Sequence, residues 1–322
     1  MRVLIITNKD DVTVDFVVKE LQKRNLAYYR LNTEDIPNKV NISFDFDNNR
    51  FEILDKVKKQ RYSLLNFNSV YYRRPQLNNF DFIEKLSNYE INYLKSELNF
   101  ILEGIYKLLE DKYWLNNVYR IREAENKIYQ LQLAKEVGFC IPNSLISNQY
   151  NILVNFYEKN DNNCIIKPIK SGYMLNDKGS KAIFTTKVEE NIFNNPVRVE
   201  SFPLYLQRNI PKKFDIRVTV IGERVFAAEI HSQINEDSSI DWRRGLKPLE
   251  HYEHILPIEI KRKCIELTHK LKLNYSAIDL IYTGEDEYIF LEINPNGQWA
   301  WIEKRLHFPL SREIVNLLED GV

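Results

Sequence analysis

The sequence predicts an α/β protein of two or three domains whose last part is an antiparallel sheet. Three observations carry this expectation. The chain opens strand–helix–strand, with apolar Arg2 to Thr7, amphipathic Val12 to Arg24 and apolar Ala27 to Leu31, the start of a doubly wound unit. Strand-like runs in the second half come in pairs joined by short turn-forming stretches, the pattern of hairpins. A length of 322 residues exceeds what one core usually serves.

The elements follow in order. Asn41 to Asp47 alternates Ile42, Phe44 and Phe46 with polar residues, then turns at Asn48-Asn49 into Phe51 to Leu54, a hairpin. Ser69 to Tyr72 is another strand, stopped by Arg73-Arg74-Pro75. Phe82 to about Asn116 is apolar at helical spacing and free of proline, which predicts one long helix or two abutting ones. A first domain, 1–116, ends there. Arg122 to Val137 reads as a helix closed by Gly138, with Pro142 beyond. Asn163 to Pro168 and Lys181 to Lys187 are strands bracketing a polar loop that contains Gly172 and Gly179, giving a central subdomain, 117–200. The remaining subdomain, 201–322, begins with the strand Tyr205 to Ile210. It continues with a hairpin of Phe214 to Ile221 and Arg224 to His231 about Gly222-Glu223, and a helix from Ile258 to Leu271. A second hairpin follows, and Ser311 caps a last helix, Arg312 to Glu319.

Charge and composition narrow the partners. Lys plus Arg equals Asp plus Glu at 45 each, so no global field draws the chain to nucleic acid or membrane, and an acidic partner needs a local arginine cluster. Cys140, Cys164 and Cys264 are scattered without a Cys-x-x-Cys pair, which suggests a reducing compartment. His251 and His254 have no further ligand in register for zinc. Val3 to Ile6 is too short for a signal segment or a membrane span, and a cytoplasmic protein is expected.

The last hairpin carries the chemistry. Glu292 and Asn294 sit two apart in an otherwise apolar run, Phe290 to Ile293, before Pro295-Asn296-Gly297 turns the chain; residues two apart on a strand share a face. The preceding strand, Ala277 to Tyr282, holds Asp279 between Ile278 and Leu280, a poor place for an unpaired charge. Pairing Tyr282 with Ile289 sets Asp279 opposite Glu292, so three oxygen ligands converge on one face. Two carboxylates and an amide, completed by phosphate oxygens and water, suit Mg²⁺ better than Zn²⁺. Lys127 and Lys167 are long cations on separate elements, placed to clamp a triphosphate. Plain surface lysine explains Lys127 as well, whereas Lys167 follows Ile165-Ile166 in an apolar strand. Arg217 lies among Ile216, Val218 and Val220, where a guanidinium wants a bidentate anion.

The order of these parts resembles the ATP-grasp superfamily of carboxylate–amine ligases, with an α/β pre-ATP-grasp domain, a central α+β subdomain and a C-terminal antiparallel-sheet subdomain. Four blocks are similar to those of the microviridin-type or graspetide ligases, which macrocyclise ribosomal peptides. They are Tyr71-Tyr72-Arg73-Arg74-Pro75, Phe214 to Val220, Asp241-Trp242-Arg243 and Glu292 to Trp299. The resemblance implies ATP and Mg²⁺ as cofactors, a ribosomal precursor peptide as partner, and activation of Asp or Glu side chains as acyl phosphates that close onto Lys or Ser/Thr. It also admits a homodimer. It implies that Gln207, Arg208, Asn209 and Ile210 form the hinge beside the adenine edge. Asp215 is a candidate for the ribose hydroxyls or for orienting Arg217, and a strand-edge charge pair explains it equally. The Arg217 anion is the γ-phosphate or the acyl phosphate, and Arg243 is expected to hold an acidic substrate side chain. Arg73 and Arg74 fit that role or a structural one; Trp299 and Trp301 read as packing around the metal strand. The loop after Lys167, with Ser171-Gly172 and Gly179-Ser180 only, departs from a glycine-dense phosphate cradle. Two rivals remain: an ATP-grasp ligase that adds amino acids to a peptide or makes a small peptide, and a non-catalytic nucleotide-binding scaffold.

Overall fold

The structure is a computed structural model that describes residues 2–170, 173–176, 179–245 and 247–321, with side chains described outside 171–182. Ser171 and Gly172, expected in the phosphate loop, lie outside the described residues. The chain divides into two compact units, one of Met1–Ile121, Lys272–Tyr275 and Asn296–Val322, the other of Arg122–Leu271 and Ser276–Pro295. This division differs from the three consecutive blocks expected, because the residues from Asn296 onward belong with the first unit.

The first unit starts with β1 (Arg2–Thr7), α1 (Val12–Lys23) and β2 (Ala27–Asn32). Val3 to Ile6 are fully buried, as a central parallel strand covered on both faces requires. Next come β3 (Val40–Asp45), β4 (Arg50–Asp55) and β5 (Gln60–Ser63), an antiparallel sheet of their own. The third of these was not foreseen, since Gln60 to Ser63 carries a single apolar-bodied residue, Tyr62. Strand β6 (Ser69–Tyr72) pairs parallel with β1. The long helix expected over 82–116 is shorter. Helix α2 (Asn88–Leu108) begins at a capping box in which Ser87 and Glu90 bond reciprocally. Past its end, β7 (Tyr113–Trp114) joins the sheet, whose order is β2-β1-β6-β7.

Arg73, just after β6, is 1% exposed and pairs with Asp11 at 2.9 Å. Its Nη1 donates to the Gly297 carbonyl (3.1 Å) and its Nη2 to Gln298 Oε1 (2.7 Å). Of the two roles considered for Arg73, this network supports the structural one, since a buried guanidinium that donates to Gly297 and Gln298 braces that turn.

The single helix expected over 122–137 is two, α3 (Val118–Ala124) and α4 (Lys127–Glu136). Asn126 breaks it: its side chain accepts from the amides of Ile128 and Tyr129 and so caps α4. Gly138 closes α4 at φ +88°, a conformation that glycine adopts without strain. The second unit continues through β8 (Ser144–Ser147), α5 (Tyr150–Lys159) and β9 (Cys164–Lys167). A polar loop was expected next, but β10 (Tyr173–Asn176) and β11 (Gly179–Ala182) pair there as a hairpin. The strand expected over 181–187 is split, with β12 (Thr186–Lys187) as its second piece. After α6 (Pro196–Glu200), β13 (Leu204–Arg208) completes a sheet of order β12-β9-β13-β8.

The second sheet of this unit, β16-β15-β14-β17-β18, is built from β14 (Phe214–Ile221), β15 (Arg224–Ile230), β16 (His251–Glu253), β17 (Tyr275–Tyr282) and β18 (Tyr288–Asn294). Helix α7 (Ile258–Lys270) buries Cys264 and Leu267 and packs on β14 and β15. The chain then returns to the first unit as α8 (Ala300–Leu306) and α9 (Leu310–Asp320). Ser311 does not cap α9 but lies within it, its Oγ and amide bonded to Glu303 at 2.6 and 2.7 Å. Trp299 is fully buried in the first unit, edge-on to Phe16 at 6.0 Å. No described helix is long and apolar enough to cross a membrane.

Candidate active site

A bulge places the two carboxylates. Strands β17 and β18 pair Tyr282↔Tyr288, Ile281↔Ile289 and Leu280↔Phe290, then shift register so that Asp279 faces Glu292 and Ala277 faces Asn294. Tyr282 was expected opposite Ile289, one residue off. Leu291 is the unopposed residue that absorbs the offset. Opposed residues share a face, so Leu280 and Phe290, both fully buried, point to the core, while Asp279, Glu292 and Asn294 share the other side. An unbroken ladder would have set Ile278 opposite Glu292 and turned the carboxylate inward.

Helix α4 seals the outer edge of β18. Gln130, 3% exposed, donates Nε2 to the Ile293 carbonyl (2.8 Å) and accepts the Ile293 amide on Oε1 (3.2 Å). The backbone between Glu292 and Asn294 is thereby held by a side chain that the sequence reading missed. A lone glutamine in a helix gives no signal of such a role.

Cations meet both carboxylates. Lys127, the first residue of α4, places Nζ 3.0 Å from Glu292 Oε2 and 3.1 Å from the Pro168 carbonyl. Arg217 on β14 places Nη1 3.2 Å from the Asp279 carboxylate. The Cζ of Arg217 stands 5.8 Å from the Trp242 ring centroid, a cation–π distance. Among the described residues its Nε is buried without a hydrogen-bond partner. Burial pushes the Asp279 carboxyl up to about 6 despite Arg217. Burial acts upward on Glu292 as well, but Lys127, Arg243 and Lys167 together hold it down, to about 2. Lys167 ends β9, and burial pushes its amine down to about 8, partly offset by Glu292.

Lys127, Lys167, Asp279 and Glu292 line one cavity within the second unit, together with Arg208, Asn209, Ile210, Asp215 and Arg243. Asn294 lies on the same strand face, beyond these lining residues. Gln207 also borders the cavity, yet its side chain is fully buried and donates to Ser144 Oγ (2.9 Å) and Tyr205 Oη (3.0 Å). The amides of Arg208 and Asn209 donate to the carbonyls of Asn143 (2.8 Å) and Asn163 (2.9 Å). Asp215 does not orient Arg217. It accepts from Lys212 Nζ at 2.8 Å and Ser232 Oγ at 2.5 Å, and Asp279 takes the orienting part. Burial raises the Asp215 carboxyl, opposed by Lys212. Arg243 is bound by Asp241 through Nε (2.8 Å) and Nη2 (2.7 Å). Lys212 and Asp241 were missed as participants, because single charges in loops look like solvated surface.

Clustered cations stand beside two opposed carboxylates, a donor set whose chemistry suits a polyanion and a hard metal ion. Family models match almost the whole chain, the MvdD pre-ATP grasp domain over residues 2–122 and the RimK-like ATP-grasp domain over residues 124–318. The chain belongs to the RimK-like ATP-grasp family. It is an ATP-grasp ligase, as its motif blocks led us to expect. Among solved structures, this ATP-grasp ligase is similar to macrocyclase MdnC bound with precursor peptide MdnA from Microcystis aeruginosa MRC. That match is 26% identical over 99% of this chain and 100% of the other, with a TM-score of 0.87. It is also similar to a Chryseobacterium gregarium RiPP-associated ATP-grasp ligase in complex with ADP and a leader and core peptide, at 28% identity over 100% and 97% of the two chains and a TM-score of 0.89. Macrocyclase MdnB from Microcystis aeruginosa MRC matches at 26% identity over 98% of each chain, with a TM-score of 0.79. No curated protein sequence matches this one.

Proposed function

We propose that this ATP-grasp ligase macrocyclises a ribosomal precursor peptide, activating Asp or Glu side chains with ATP and closing them onto Lys or Ser/Thr side chains. The observation that carries the proposal is similarity along the full length to two macrocyclases and a RiPP-associated ligase, two of them bound to peptide. A substrate carboxylate oxygen attacks the γ-phosphorus of ATP, the bond to the bridging oxygen breaks, and ADP leaves. The Lys amine or Ser/Thr hydroxyl then attacks the acyl carbon, phosphate departs, and the nucleophile loses its proton. No enzyme nucleophile is required.

The residues divide this work. Lys127 and Lys167 are placed to hold phosphate oxygens, with Lys127 exchanging its Glu292 partner for them. Arg217, with its Nε unpartnered among the described residues, is assigned to offset charge on the transferred phosphoryl group. Main chain at Arg208 to Ile210 borders the purine: with the Arg208 and Asn209 amides engaged, the Arg208 carbonyl and Ile210 amide are the groups assigned to its edge. Asp279, Glu292 and Asn294 fit Mg²⁺. They supply oxygen donors only, and two opposed carboxylates are fewer than a full cage, as suits an ion that keeps water and phosphate ligands. When bound, the ion supplies neutralisation of charge on the phosphates.

Incubating the protein with ATP, Mg²⁺ and a short Thr/Ser/Lys- and Asp/Glu-rich peptide encoded beside its gene should yield a product lighter by one water per ring. Peptide-independent ADP release, with no loss of mass, overturns the reading. Glu292→Gln should abolish product formation; near-normal turnover would remove Glu292 from the metal site.

A further inference from the structure

We propose that Asp241 is a positioning residue for this reaction: it fixes one edge of the Arg243 guanidinium so that the other edge is offered to the substrate carboxylate. The inference rests on the peptide-ligase reading above and adds to it how an exposed arginine acquires a defined orientation. Arg243 needs such help, since 49% of its side chain is exposed whereas that of Asp241 is 5% exposed. A half-exposed arginine on a short turn would otherwise sample many rotamers.

The geometry is a fork. Asp241 Oδ1 accepts from Arg243 Nε at 2.8 Å and Oδ2 from Nη2 at 2.7 Å, two parallel charge-assisted bonds that fix the guanidinium plane. The same carboxylate accepts the Arg243 amide on Oδ1 (3.2 Å) and the Thr185 amide on Oδ2 (3.3 Å). Four donors therefore saturate its acceptor sites, and the carboxylate is itself immobile. Among the described residues Nη1 of Arg243 has no hydrogen-bond partner, and Arg243 lines the cavity that holds Asp279 and Glu292. A carboxylate entering that cavity meets Nη1 and the second hydrogen of Nη2. Trp242, between Asp241 and Arg243, lies over Arg217, so the same anchored turn also sets the ring against the second arginine.

A purely local role is the competing explanation, because Asp241 also caps the turn Trp242–Arg244. Asparagine caps a helical turn about as well as aspartate, but it cannot accept two charge-assisted bonds from one guanidinium. Asp241→Asn therefore separates the two roles while keeping shape. With the precursor peptide of the preceding test, D241N should raise the peptide KM by about tenfold or more. ADP affinity, titrated without peptide, should stay within about twofold, and D241E should recover part of the loss. D241N combined with R243K should be no worse than R243K alone, since the aspartate acts through that arginine. An unchanged peptide KM in D241N, or a loss of ADP affinity as large as the loss of peptide affinity, overturns the proposal.

A second readout needs no peptide. The Nε–Hε resonance of Arg243, assigned by its absence from R243K, should be sharp in the unsubstituted protein and lost to exchange in D241N; its persistence there counts against Asp241. If the unsubstituted protein cyclises no peptide but the resonance behaves as expected, the macrocyclase reading fails and the positioning role stands.

Discussion

Lys167 combines a buried amine with a proposed role, holding phosphate, that requires charge. Its folded value of about 8 lies below the ordinary 10.5, with burial as the first cause. Phosphate binds the ammonium form, so above about pH 8 the free protein must take up a proton to bind nucleotide. ADP affinity should fall as pH rises from 8 to 10, and Lys167→Arg, which stays charged, should flatten that slope in a titration series. The stability of the ligand-free protein moves the other way. Between about 8 and 10.5 the unfolded chain binds more protons than the folded one, so this group makes the fold more stable as pH rises through that window. The paired charges at Lys127–Glu292 and Arg217–Asp279 were not foreseen as pairs, because sequence gives the partners but not the rotamers that join them.

At the scale of elements, the bulge at Leu291 controls which way the Glu292 carboxylate points. Were Leu291 to take a place in the ladder in an unbroken register, Glu292 would fall opposite Ile278, a buried charge without a partner. Gln130→Leu would leave the amide and carbonyl of Ile293 unsatisfied, a cost of about 1–3 kcal/mol for each buried group. Thermal unfolding should report it as a drop of several degrees. Much of this level was legible in the chain. The Asp279–Glu292 opposition and the Asn294 face followed from strand parity, and the Phe214–Ile230 hairpin from its apolar runs and glycine turn. The break at Asn126, the strand β5 and the hairpin β10–β11 were not. An asparagine inside a helical pattern, and polar residues within short strands, take their meaning from neighbours distant in sequence.

For the whole molecule, the equal count of acidic and basic residues leaves recognition to local charge, which fits a site where Lys127, Arg217 and Arg243 each have an acidic partner. The three consecutive blocks read from the sequence do not describe how contacts are distributed, because hydropathy shows which segments are buried but not which partner buries them. Helix α9 lies against α1 and β6, with Leu310, Ile314, Val315 and Leu318 buried. Truncation after Pro295 would expose what they cover. Four apolar side chains at about 1.5–3 kcal/mol each approach the whole stability of an ordinary domain. The truncated protein should bind a hydrophobic dye and precipitate, whereas recovery of a soluble, cooperatively folding product would contradict this account. The same arrangement sets an order of events during translation. The ribosome delivers β1, α1 and β6 before all of the other unit, Arg122–Leu271 and Ser276–Pro295, and the helix that covers them after it. The sheet of β1 and β6 thus waits through the synthesis of the other unit for its own cover, and a chaperone that shields the nascent sheet would find its use there.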